Sequence, residues 1–265
     1  MGGLSGTVAV VTGASRGLGK GIALGLGEAG ATVYVTGRST RAKPGPLPGT
    51  IDETADEVTR RGGRGVAICC DHRDDAEVEE LFAGVQRDEG RLDLLVNNAF
   101  ASPEQRVLWS GERFWEIPVA LWDDLIDVGL RSHFIASRCA ATTMVEQAHG
   151  LIVNVASHAS GRSKAAGART IVPYSVCKAG VHRLTSDMAA ELHEYGVAVV
   201  AVWPPGTRTE GVLAQSELFP NLSEWKEPIF TGRVVAGLAS TGNALERSGE
   251  ALVVTDLAEE FGLSA

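Results

Sequence analysis

The sequence predicts a doubly wound α/β fold in one domain: a seven-stranded parallel sheet with helices on both faces. Three observations lead there. Short β-branched runs alternate along the chain with segments whose apolar residues recur at helical spacing. Such alternation supplies the crossovers that parallel neighbours require. The runs are apolar nearly throughout, as strands buried on both faces are. With 265 residues, 44% of them hydrophobic, the chain can bury a full core as a single unit.

The elements follow in order. A first strand is read at Thr7 to Val11, followed by a glycine-rich turn and a helix near 18–29. The second strand, Thr32 to Thr36, leads into residues 38–50, whose three prolines and several cations suit a solvent loop before a helix at 51–61. Val66 to Cys70 forms the third strand, and Asp74 and Asp75 are placed to cap a helix at 74–89. Leu92 to Val96 is the fourth strand, followed by a helix at 119–147, and Leu151 to Val155 is the fifth. A long loop at 158–173, rich in small and basic residues, separates it from a helix at 174–195. The sixth strand, Val197 to Val202, a helix at 229–240 and the seventh strand, Ala251 to Val254, complete the set. No internal repeat and no linker divides the chain. Long loops at strand C-termini are where open α/β sheets hold ligands.

Composition narrows the function. The formal charge of −9 repels phosphate backbones and anionic lipid heads, and no local basic stripe offsets it, so neither nucleic acid nor a membrane is an expected partner. The N-terminus lacks a positive region ahead of an apolar run, and no stretch approaches the roughly 18 apolar residues of a membrane span. A cytoplasmic protein is expected. Cys69, Cys70, Cys139 and Cys177 show no metal-ligand spacing and read as small core residues. The six histidines form no His-x-x-x-His pair, so no metal is expected.

Chemistry is concentrated at two places. The first is Thr12-Gly13-Ala14-Ser15-Arg16-Gly17-Leu18-Gly19, between strand and helix. Glycines there allow a tight turn and let backbone amides approach a phosphate at the positive end of the helix. The same residues in a ligand-free turn are the plain alternative. The second is Tyr174 and Lys178, four apart at a helix start and so on one face. A phenol has a pKa near 10, and a neighbouring ammonium stabilises its anion, which suits Tyr174 to general acid–base work. Ser157, just beyond the fifth strand, can hydrogen-bond the same substrate oxygen. A serine nucleophile is the rival reading, but Val155-Ala156-Ser157-His158-Ala159 is not a Gly-x-Ser-x-Gly elbow.

These motifs, with Asp71 after the third strand, Asn97-Asn98-Ala99 after the fourth and Tyr174-Ser175-Val176-Cys177-Lys178 in order, resemble the short-chain dehydrogenase/reductase family of Rossmann-fold enzymes over about residues 7 to 210. The ending Asp256-Leu257-Ala258-Glu259-Glu260-Phe261-Gly262 and the segment Phe114-Trp115-Glu116-Ile117-Pro118 resemble the subgroup typified by dehydrogenase/reductase SDR family member 1. The resemblance implies hydride transfer between a nicotinamide dinucleotide and a small-molecule carbonyl or alcohol substrate, with Ser157, Tyr174 and Lys178 as catalytic residues. It implies cofactor contacts from Gly13, Ser15, Arg16, Gly17, Leu18, Gly19, Asp71, the backbone of His72, Asn98, Tyr174, Lys178, Pro204, Thr207 and Thr209. It also implies a homodimer or homotetramer pairing through the long helices. NADP(H) is expected over NAD(H): the second strand ends Val35-Thr36-Gly37-Arg38 with no carboxylate to bind ribose hydroxyls, and Arg38 can meet a 2′-phosphate. The leading expectation is therefore an NADPH-dependent ketone or aldehyde reductase. An oxidative alcohol or hydroxysteroid dehydrogenase and a weakly catalytic dinucleotide sensor are the alternatives.

Three departures from the family pattern stand out. Gly129 occupies the position of an asparagine that supports a water chain to the lysine, and a local kink that frees a backbone carbonyl is expected to replace it. Pro205 stands where the family has glycine, with Gly206 one step late. The segment between Ser157 and Tyr174 is long and carries Arg162, Lys164 and Arg169.

Overall fold

A computed structural model describes residues 3–101, 112–158, 171–219 and 221–263. Seven strands form one parallel sheet in the order β3-β2-β1-β4-β5-β6-β7. They are β1 (Val8–Val11), β2 (Thr32–Gly37), β3 (Arg64–Cys69), β4 (Leu94–Asn97), β5 (Gly150–Val155), β6 (Val197–Trp203) and β7 (Ala251–Val253). Strand order reverses between β1 and β4, which opens a crevice at their C-terminal ends.

Alternation of side chains sends neighbouring residues of each strand to opposite faces. Ala9, Val11, Val33, Val35, Val96, Val153 and Val200 enter one core, under α1 (Gly17–Glu28) and α2 (Ile51–Arg60). Val8, Val10, Tyr34, Leu95, Ile152 and Val199 enter the other, under α3 (Asp75–Glu89). As an edge strand, β3 is only partly covered, so Cys69 is exposed rather than a core residue, while Cys70 is buried. Thr50 and Glu53 form a reciprocal capping box on α2, and Asp74 caps α3 by accepting from the amides of Ala76 and Glu77.

The helix expected at 119–147 is three pieces: α4 (Val119–Ile126), a π-helical turn (Asp127–Arg131) and α5 (Ser132–Gln147). Gly129 lies inside the π turn, so the expected kink is present as a widened turn. α6 (Val172–Leu192) carries Tyr174 and Lys178. The short α7 (Glu210–Leu213) follows β6, and α8 (Pro228–Ser240) packs on α1. Val254 opens α9 (Val254–Glu260) instead of extending the last strand. Gly21, Gly25 and Gly232 let the backbones of α1 and α8 touch, since a Cβ on any of them would collide with the backbone of the facing helix. Among the described residues no helix is long and apolar enough to cross a membrane.

Candidate active site

The glycine loop is braced by the segment after β4. Thr12 Oγ1 accepts from the amides of Asn98 and Ala99, each at 2.9 Å, and the Asn98 side chain donates to the carbonyls of Thr12 and Gly13 at 2.9 and 3.0 Å. Gly13 and Gly17 take φ of +65° and +58°, the left-handed region, and a Cβ on Gly13 would lie 2.7 Å from the Cα of Ala99. A Cβ on Gly19 would strike the Gly13 carbonyl. Ser15 is buried and Leu18 half-buried against the core. The first turn of α1 holds no acidic residue and receives no side-chain cap from Arg16, and the Gly17 amide instead donates to Glu210 Oε2 at 2.7 Å. A carboxylate bound at this helix end shows its affinity for anions. Cβ-free backbone and outward amides fit a dinucleotide pyrophosphate.

At the end of β2, Arg38 faces Asp71 across the strand ends, with Nη1 3.5 Å from Oδ2. Arg16 turns toward the same end: its guanidinium donates to Ser39 Oγ at 2.9 Å and to the carbonyls of Pro48 and Gly49 at 3.0 and 2.8 Å. Burial lowers its pKa, against the attraction of Glu210. The His72 side chain points inward, its Nε2 2.8 Å from Thr36 Oγ1, and burial pushes its pKa down to about 4. Asp71 caps its own turn by accepting from the Arg73 amide.

The other end of the crevice gathers Ser157, Tyr174 and Lys178. Lys178 is buried, and its Nζ donates to the Val155 carbonyl at 2.8 Å. Nζ lies 5.2 Å from the centre of the Phe100 ring and 6.0 Å from that of Tyr174, within cation–π range. Phe100 and Tyr174 meet edge to face at 5.7 Å. Burial raises the Tyr174 pKa, and a hydrogen bond with Ser157 pulls the other way. Burial likewise lowers that of Lys178. Beside them, a Cβ on Gly129 would sit 2.8 Å from Cys177 Sγ, so the thiol fills the space a side chain at 129 would need. Cys177 donates to the Leu125 carbonyl at 3.3 Å, an acceptor in the last turn of α4, just ahead of the π turn.

Beyond β6, Pro204 and Pro205 lead into a bridge between Thr207 and Lys226. Gly206 is required because a Cβ there would lie 2.7 Å from the Trp225 indole. Thr207 donates to the Pro205 carbonyl at 2.8 Å, and Thr209 caps α7 while its side chain packs over Gly17. The loop thus joins the phosphate end of the crevice. His158 packs on Trp203 with ring centroids 4.8 Å apart. Arg162, Lys164 and Arg169 lie outside the described residues. Among the described residues no cluster of three His, Cys, Asp or Glu side chains is placed to hold a metal ion.

The short chain dehydrogenase family model matches residues 7–217, from β1 through this loop. The chain belongs to the short-chain dehydrogenase/reductase family. Dehydrogenase/reductase SDR family member 1 of Mus musculus is 41% identical to it over 98% of this chain and 83% of its own length, which supports the same subgroup. A short-chain type dehydrogenase/reductase from Mycobacterium marinum superposes with a TM-score of 0.79 at 26% identity, covering 95% of this chain and 94% of its own. A candidate NAD(P)-dependent gluconate 5-dehydrogenase from Beutenbergia cavernae, solved with bound NADP at low occupancy, gives 0.79 at 29% identity over 95% and 96%. This short-chain dehydrogenase/reductase is therefore an NAD(P)-dependent oxidoreductase acting on CH–OH or C=O groups. Thr12, Phe100, His133 and Glu210 escape the motif reading. Thr12 stands inside the glycine motif, but the parts played by Phe100, His133 and Glu210 rest on contacts across 34 to 193 positions, which no local pattern carries.

Proposed function

We propose that the protein is an NADPH-dependent reductase of ketones or aldehydes in which Tyr174 supplies the proton. The convergence of Ser157, Tyr174 and Lys178 at one end of the crevice carries this reading, because cofactor binding alone needs no such set. The nicotinamide, when bound, supplies the hydride. The raised pKa of Tyr174 keeps the phenol protonated, the form that donates to a carbonyl oxygen. Ser157, hydrogen-bonded to Tyr174, would orient that oxygen by a second hydrogen bond. The ammonium of Lys178, over the Tyr174 ring, stabilises the phenolate left behind, and one of its remaining donors suits the nicotinamide-side ribose hydroxyls. Glycines 13, 17 and 19 with the first amides of α1 would hold the pyrophosphate. Arg38, with Arg16 drawn to the adjoining Ser39, supports NADP(H), since two cations at one strand end favour a 2′-phosphate. Exposed Phe134 and Val176 on α5 and α6 support self-association through these helices.

Mixing the protein with NADPH and a panel of carbonyl compounds, and following the absorbance of the reduced nicotinamide, tests the proposal. Turnover is expected, with Tyr174→Phe losing about 10²- to 10⁴-fold in kcat while still binding NADPH. No turnover across the panel, or full activity in Tyr174→Phe, would overturn it.

A further inference from the structure

We infer that His133 holds the inner water of the proton path that ends at Lys178, standing in for the side chain missing at Gly129; this rests on the proposed reductase reading. His133 lies one turn beyond Gly129 and has no exposed surface. Its Nε2 is 3.2 Å from the carbonyl oxygen of Ala99. A carbonyl can only accept, so Nε2 carries the hydrogen, and in a neutral imidazole Nδ1 then presents a lone pair. The ring is neutral: burial first, and then the charge of Lys178, push its pKa down to about 3.

That Nδ1 is a buried acceptor without a protein partner among the described residues. Buried polar atoms are satisfied by protein or by ordered water. Its surroundings say what the water serves. Ala99, which anchors the imidazole, adjoins Phe100, whose ring packs against Lys178 Nζ and borders Gly129. Asn97, whose side chain donates to the His133 carbonyl at 3.4 Å, has a second unpartnered buried acceptor in Oδ1. Lys178 uses one of its three donors on Val155. A water accepting from the Lys178 ammonium and donating to His133 Nδ1 satisfies both groups at once. Reduction of a carbonyl consumes one hydride and one proton. Tyr174 gives its proton to the substrate oxygen, the phenolate regains one along the polar path ending at Lys178, and solvent replaces it through the water. His133 keeps its protonation state throughout, as a positioning residue and not a catalytic one.

Two substitutions separate this role from simple anchoring of Ala99. Asparagine places an acceptor where Nδ1 stands, and glutamine places a donor where Nε2 stands. In the full-length protein, kcat of H133Q is expected to fall about tenfold or more below that of H133N, with KM and NADPH affinity alike in the two and a larger solvent deuterium isotope effect in H133Q. Equal kcat values, or H133Q the more active, would overturn the inference. Nitrogen NMR of the imidazole in the cofactor-free protein gives an independent readout. It should show Nε2 protonated and Nδ1 as a hydrogen-bonded acceptor whose shift moves in Lys178→Met; a protonated Nδ1 would refute the role. Should the wild type reduce no carbonyl at all, the reductase reading falls, and the nitrogen spectrum alone decides on His133.

Discussion

Restoring the family's asparagine at position 129 should damage this protein. A Cβ at 129 would stand 2.8 Å from Cys177 Sγ and 3.4 Å from Phe100 Cδ2. Favourable contacts lie near 3.5–4.0 Å, so the new atom overlaps the sulfur by roughly 0.7 Å or more. Cys177 is fully buried and its thiol is held by the Leu125 carbonyl, so it has nowhere to swing. Overpacking of this kind costs about 1–3 kcal/mol. In a chain of this size that lowers the melting temperature by roughly 2 to 5 °C. Gly129→Asn should therefore melt earlier and turn over no faster. Cys177→Ala removes the obstructing sulfur, so the double variant should recover at least about 1 kcal/mol relative to the sum of the single changes, measured by urea unfolding. Strictly additive costs would show that the thiol and the glycine are not fitted to each other. A many-fold gain in turnover for Gly129→Asn would show that the π turn is a defective substitute for the amide.

Two further outcomes follow from the site. Arg38→Ala should weaken NADPH by about 10- to 100-fold, the worth of a charge-assisted contact, and leave NADH affinity unchanged by fluorescence titration; equal losses for both would remove Arg38 from phosphate recognition. In acid, His72 and His133 stay neutral in the fold, with pKa values pushed down to about 4 and about 3 from 6.5, while the unfolded chain binds their protons. Their contribution is thus complete above pH 6.5 and is lost as pH falls from there, toward 4 for His72 and toward 3 for His133. Unfolding free energy should drop toward pH 5 with a slope approaching about 2.7 kcal/mol per pH unit for two protons. His72→Asn should halve that slope, and a flat profile between pH 7 and 5 would contradict the burial of these rings.

Much of the fold is legible in the sequence because its determinants are local. The β-branched runs fall within two residues of the observed strands, and Asp74 announces the helix it caps. Edges are less legible. Val254 has the chemistry of a strand residue, yet it begins α9, and Cys69 faces solvent because β3 lacks an outer neighbour. At the site, the glycines and the Tyr174–Lys178 pair are written in spacing. The roles of Asn98 and His133 are not: one braces the glycine loop and the other reaches Ala99 through bonds spanning 85 and 34 positions. Such bonds exist only once β4, α5 and the loop after β1 have come together. Gly129 shows the middle case, where a missing side chain reveals a change but the π turn and the buried thiol that accompany it belong to packing.

The contact between α1 and α8 bears on how the anion-facing tip of α1 behaves. With Gly21 and Gly25 seated against the backbone around Pro228 and Gly232, α1 cannot slide or roll without opening a gap along its length. Its amides are aimed before any phosphate arrives, so little ordering entropy is left to lose on binding. If α1 holds the pyrophosphate as proposed, adjustment falls to the opposite wall, where Glu210 lies on the Gly17 amide and would have to yield. The crevice works as a vice with one fixed jaw.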